Sequence, residues 1–480
     1  MERVWYRQDR EAVVAALQRG ERPDLATTMA CGPVDELVAL HDELGILDAL
    51  DGVVTQRQRA GLADALLLRT LATLPFLAEA SLGGAAEALF REPAILLQLG
   101  WAPVQIRAGD NGRYRHPDGR QPESLPCHPD TLRDALRRVA AQTWQRVQEL
   151  GVQALYTRRL VRGTVYAIDG SGIGPDLRPV ALVCVSGDRP LIVAWRRLTG
   201  HASEKGQEAA VTRALIEQAL ALGGPDCIEV LLADALYADG PLLAWLKFER
   251  GIDTLVRLPD DRLLYAELQR LAALGRVAWT EHRCVRVLQG HKALWTVAVT
   301  SSHELTDWDS FVEAATRSGQ AHPTLWAGLI RPVAPTVRPV EQAWALVSTR
   351  AWPNAFVAWQ AFRPRWHIEN DAYRELKEGW GLEEQRWGRD EAAARGRLTL
   401  TCLAFNTAQV YRSQAGTTLA KRGIRRLRQV RRPELGAAPV VIYVAGCYAV
   451  LAVEELLALV GAPVRASLLP ASLRPPPVPT

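Results

Sequence analysis

Apolar residues recur at helical spacing through residues 361–387, at Trp366, Tyr373, Leu376 and Trp380, and after Pro364 nothing breaks the pattern before Gly379. The spacing predicts one helix from Arg365 to Glu378. Four residues apart, Arg365 and Glu369 share a face of it, and Arg374 and Lys377 stand on the same helix. Two readings fit this face: a solvated i,i+4 ion pair, or an acid that holds a metal beside a polyanion.

The rest of the chain divides by texture. Residues 11–105 read as helices, one striped by Leu37, Leu40, Leu44, Leu47 and Leu50 and another spanning Leu62 to Leu77, with no strand between them. Residues 107–130, dense in Gly, Pro and Asp, read as a loop before a helix carrying Arg133, Arg137 and Arg138. That helix fits a DNA groove and a solvated surface equally well. From Thr164 the order becomes three strands, helix, strand, helix, strand, and the acids Asp169 and Asp234 stand at or just past the C-terminal ends of two of the strands. Open α/β sheets present their ligands at such ends, although an aspartate there also serves as an ordinary turn residue. Residues 259–343 read as a β-rich insertion, and residues 344–349 return to a strand. The apolar stretch from Val440 to Val453 reads as a buried or amphipathic helix, followed by a tail, LRPPPVPT, expected to be disordered.

Composition and charge refine this picture. With 480 residues, 48% of them hydrophobic, the chain can build more than one core. The net charge of +4 is mild, but residues 412–432 hold eight basic residues and no acid, a local block suited to phosphate. The seven cysteines form no CxxC pair, so neither a zinc site nor a disulfide framework is expected. The longest apolar run is too short for a bilayer, and a cytoplasmic protein without membrane contact is expected.

The segments IDGSG around Asp169, LLADALY around Asp234, and LVST followed by FRPRWHIE around Glu369 together resemble the DDE transposases of bacterial insertion sequences, of the insertion-sequence-four type, over residues 160–410. The resemblance implies an RNase H-like core in which Asp169, Asp234 and Glu369 bind divalent metal, Mg2+ with Mn2+ as a substitute, and are catalytic. In-line phosphoryl transfer needs such a set, because hard carboxylate oxygens hold the ions while leaving positions for water and phosphate. It further implies DNA contacts from Arg257, Arg365, Arg374 and Lys377, and base stacking on Trp344, whose position at a strand start equally suits a core residue. Two positions depart from the family pattern: Phe362 stands where a tyrosine is expected, and Leu376 occupies the lysine's place, with Lys377 one residue later. Phe362 has no hydroxyl to offer a phosphate. His367, two residues from Glu369, is read as a bystander.

The expected protein is therefore α/β, with a helical N-terminal region (1–158) as a candidate for binding DNA ends. An RNase H-like core (159–258 and 344–412) is interrupted by the β-rich insertion (259–343), and a basic, helical C-terminal region with a disordered tail (413–480) follows. The expected activity is metal-dependent cleavage at insertion-sequence ends and joining to target DNA, by a homodimer on double-stranded DNA. A catalytically silent DNA-binding derivative and a structure-specific nuclease are the alternatives.

Overall fold

The computed structural model describes residues 6–29, 33–57, 61–108, 125–173, 178–198, 207–288, 291–333, 344–384, 387, 390–415, 423–427, 429–430 and 439–459. Its strands, in chain order, are β1 (Arg7–Gln8), β2 (Leu25–Thr28), β3 (Val165–Gly170), β4 (Pro179–Cys184), β5 (Leu191–Arg197), β6 (Val230–Ala233) and β7 (Asp253–Arg257). They continue with β8 (Thr280–Leu288), β9 (His291–Leu305), β10 (Leu325–Pro332), β11 (Trp344–Ser348), β12 (Val440–Val444) and β13 (Cys447–Leu451). The chain falls into two units, one built from residues 1–154 and 375–480, the other from 155–374.

The second unit is a mixed sheet of nine strands in the order β5-β4-β3-β6-β7-β11-β10-β9-β8. Its central strands β3, β6 and β7 run parallel, and the others pair antiparallel. Continuous apolar runs such as VALVC and VLLA leave these strands buried, as parallel strands covered on both faces require. Helix Gln207–Gly223 packs on β4 and β5, and helix Ala355–Phe362 on β10. The β-rich stretch expected between residues 259 and 343 does supply strands, and these extend the same sheet through β10 and β11. Helices Leu263–Ala273 and Asp309–Arg317 interleave with them.

The first unit is organised around helix Glu391–Gln414, whose 24 residues are buried on nearly every side. Helices Val34–Glu43, Asp64–Thr73 and Pro129–Arg137 surround it, which is why its sequence lacks a broad polar face. Arg412 near its end is buried and grips Glu375 through two bonds of 2.6 and 3.0 Å.

Three expectations for this unit are corrected. The stretch from Val440 to Val453 is not a helix. It forms the hairpin β12–β13, because Ala445 and Gly446 take φ of 51° and 81°, the pair of left-handed residues that closes a two-residue hairpin. The short helix Val453–Leu459 follows it. The N-terminal helices are interrupted by β2, which pairs with β12, so the sheet β1-β13-β12-β2 joins sequence from both ends of the chain. The helix expected from Thr131 is two, Pro129–Arg137 and Ala141–Thr157. Its three arginines meet acids: Arg133 pairs with Asp130, Arg137 with Asp390 at 2.5 Å, and Arg138 with Asp134 at 2.7 Å. Within the basic block, Arg412 is spent on Glu375, while Lys421, Arg422, Arg428, Arg431 and Arg432 lie outside the described residues, as does the tail.

Candidate active site

Parallel pairing of β3 with β6 aligns Ile168 with Ala233. The next residue on each is an acid, Asp169 and Asp234, so two carboxylates leave neighbouring strands side by side, roughly 5 Å apart at the backbone. Asp234 precedes a 3-10 turn, Ala235–Tyr237, yet its side chain caps none of the turn's N–H groups. Asp239 and Asp390, by contrast, do cap the helices that follow them. A turn role therefore leaves the Asp234 carboxylate unexplained, and its buried Oδ1 has no hydrogen-bond partner.

Glu369 comes from the helical segment after Ala355–Phe362. That segment is not the regular α-helix expected: a 3-10 turn, Arg363–Arg365, leads into π-helical stretches Ile368–Tyr373 and Glu375–Gly379. Wider π winding is costly and recurs at functional sites, where it re-aims side chains. Arg365 and Glu369 still meet across one turn, Nη1 to Oε1 at 2.7 Å, and the same Nη1 lies 3.8 Å from Asp169 Oδ2. The two carboxylate oxygens thus stand no farther apart than those two lengths together. Arg365 is buried, and its guanidinium also lies 5.4 Å over the ring of Phe362, the residue in the expected tyrosine's place.

Asp169 is held from three directions. Its Oδ1 accepts the Gly170 N–H at 2.8 Å, and its main-chain oxygen accepts the Tyr373 hydroxyl at 2.8 Å. That hydroxyl also reaches Pro179 O at 3.2 Å and so pins the β3–β4 pair. Burial pushes the Asp169 carboxyl up to about 6; the Gly170 bond and Arg365 oppose the shift, and the charges of Glu369 and Asp234 add to it. Burial is the main cause of the shift, and carboxyls raised by burial beside other charges occur at functional sites.

The remaining residues expected at the site separate. Arg257 ends β7 and is exposed, its guanidinium 5.5 Å over the ring of Trp344 at the start of β11. Trp366, which sequence reasoning passed over as a core stripe, is 45% exposed and stacks against Trp344 at 6.4 Å with planes 20° apart. Arg374 is exposed at the end of the second unit. Lys377 falls in the first. His367 pairs with Asp371 and touches none of the three acids among the contacts described.

Residues 197–407 match the transposase DDE domain family. The match covers Asp234 and Glu369 and begins after Asp169, and it supports a DDE transposase, an enzyme of the transposase and nuclease kind. No curated protein matches the chain. Among the described residues no helix is long and apolar enough to cross a membrane.

Among the described residues no three His, Cys, Asp or Glu groups stand close enough together to hold a metal ion; Arg365 instead occupies Asp169 and Glu369. The donor set still suits a hard divalent cation. It is made of carboxylate oxygens from separate segments, one of them the buried, unpartnered Oδ1 of Asp234.

Proposed function

We propose that this chain is a metal-dependent DNA transposase of the insertion-sequence-four type, which cleaves at the ends of its element and joins them to target DNA. The observation that carries the reading is the delivery of Asp169 and Asp234 by adjacent parallel strands, with Glu369 tied to Asp169 through Arg365. Asp169, Asp234 and Glu369 would hold divalent ions, Mg2+ or Mn2+, which when bound activate an attacking oxygen and stabilise a leaving one. The chain's own residues do the rest. Tyr373 fixes the backbone at Asp169, and Arg365 keeps the carboxylates of Asp169 and Glu369 from repelling each other apart. Arg257 and Arg374 offer exposed charge to phosphates, and the Trp344–Trp366 pair offers an aromatic platform to a base drawn out of the duplex. Because an element has two ends, the working form is a homodimer on DNA.

The test is direct. Purified protein, given DNA carrying the inverted repeats that flank its reading frame, should cut and join that DNA with Mg2+ and do neither with EDTA. Tight binding of those ends with or without metal, and no cutting or joining under any condition, would make it a silent DNA binder instead.

One contact can be weighed by salt. Arg257→Ala should reduce the slope of log K against log salt for end binding by about one unit, since each neutralised phosphate contributes roughly 0.9. A slope equal to that of the wild type would remove Arg257 from the DNA path.

A further inference from the structure

Tyr373 ties the acid end of β3 to the start of β4. Its hydroxyl donates to the main-chain oxygens of Asp169 and Pro179, at 2.8 and 3.2 Å, so those oxygens stand no farther apart than the two lengths together. Arg178 precedes Pro179, and its own carbonyl accepts the Leu198 N–H at 2.9 Å, which continues the ladder of β4 with β5. Val180 lies opposite Gly170 of β3 on one side and Arg196 of β5 on the other. Side chains alternate across a strand, so Arg178, Val180 and Arg196 share one face. The two arginines are diagonal neighbours, roughly 7–8 Å apart at the backbone. Arg196 stands two strand spacings, about 10 Å, from Gly170, the residue after Asp169.

Strands β4 and β5 contain no acid, and Asp188, in the turn between them, lies at the other end of the pair. Among the described residues no acid or hydrogen-bond acceptor meets either guanidinium. Like charges set so close on one face repel and weaken the strand pair. An arginine on the edge strand β5 also guards that edge against another chain, but Arg178 adjoins β4, which is paired on both sides, and has no such duty. An anion between the two would relieve the repulsion.

On the far side of the acids Val256 of β7 lies opposite Ala233, so the exposed Arg257 stands beside Asp234. From β5 to β7 is four strand spacings, roughly 19 Å, with Asp169 and Asp234 on the strands at the middle. A polyanion crossing this edge of the sheet meets cations on both sides of the two acids, and duplex DNA presents phosphates at close intervals along such a path. We propose that Arg178 and Arg196 form a phosphate clamp, which holds the DNA backbone on the Asp169 side of the acids, opposite Arg257 on the Asp234 side. The inference rests on the DNA-transposase reading above and adds to it two residues from a strand pair that the reading does not use.

Salt titrations test it. Binding of the full-length protein is followed by fluorescence anisotropy on two labelled duplexes, one carrying the element end and one of unrelated sequence, in EDTA over a series of salt concentrations. The double variant Arg178→Gln, Arg196→Gln should lose nearly two units of the slope of log K against log salt, about 0.9 for each phosphate contact. Arg178→Lys with Arg196→Lys should restore most of it, because lysine keeps the point charge. Loss on the end duplex alone assigns the clamp to the element end, and loss on both duplexes assigns it to target DNA as well. A wild-type slope for the glutamine pair on both duplexes, or a loss that lysine does not restore, overturns the clamp. Wild-type protein that shows no salt-dependent binding to either duplex overturns the DNA-transposase reading itself. If the glutamine pair does not fold, Arg178→Gln alone, at an exposed position, carries the test as a loss of about one unit.

Discussion

Glu369→Gln is expected to yield a protein that folds and binds its element ends as the wild type does, yet cuts and joins them at least about a thousandfold more slowly, roughly 4 kcal/mol of barrier. Folding should survive because the Glu369 side chain is 43% exposed, and Arg365 keeps Asp169 as a partner at 3.8 Å. The amide preserves size and hydrogen bonding and removes only the negative charge that a metal ligand needs. Asp234→Asn should lose both reactions to the same degree, since its Oδ1 has no other employment among the described contacts. End binding measured by gel shift, set beside cleavage of labelled ends, separates the steps. Cleavage by Glu369→Gln within a fewfold of wild type would remove Glu369 from the chemistry.

Asp169→Asn should lose activity too, but with a gain in stability that marks it as a functional residue. The native carboxyl titrates at about 6 against 3.8 unperturbed, chiefly because burial disfavours its charge. As pH rises from 4 to 6 the unfolded chain gives up this proton before the folded one does, so the folded state binds more protons and loses stability through that window. By pH 7 the whole cost is present. A shift of about two units corresponds to about 3 kcal/mol, and partial exposure of the side chain trims the expected gain of the Asn variant to about 2 kcal/mol. Urea unfolding without metal should show the variant more stable at pH 7 and equal to wild type below pH 4. A variant less stable than wild type at pH 7 would mean that Asp169 supports the fold rather than burdens it.

The strand ends that carry Asp169 and Asp234 were legible because each closes an apolar run with β-branched residues, and the helical segment around Glu369 because it lies within an apolar stripe. The winding of that stripe was not. Nothing in the spacing of Trp366, Tyr373 and Leu376 distinguishes α from π turns, and the choice is made by tertiary packing. The hairpin at 440–451 was hidden for a related reason: a continuous apolar run fits a buried strand or a buried helix, and only the Ala445–Gly446 turn decides. Strands β8 to β11 pair with their neighbours in sequence, and what joins them to the large sheet is the pairing of β11 with the distant β7, which local pattern does not carry. Tyr237 comes close to the end of β3 only through the 3-10 turn that follows Asp234. Trp366 lay in plain sight, and its exposure beside Trp344 is what sets it apart from the core stripe.

The small sheet that joins β2 to β12 sets a clock on synthesis. During translation the segment Leu25–Thr28 emerges early, but its partner Val440–Val444 follows about four hundred residues later, on the order of half a minute at ribosomal speed. All nine strands of the other sheet are out of the ribosome before then. A nascent chain, or one cut short by a frameshift or stop codon ahead of Val440, therefore carries all three acids but never closes the first unit. Only a chain translated through its last strand pair becomes a finished protein.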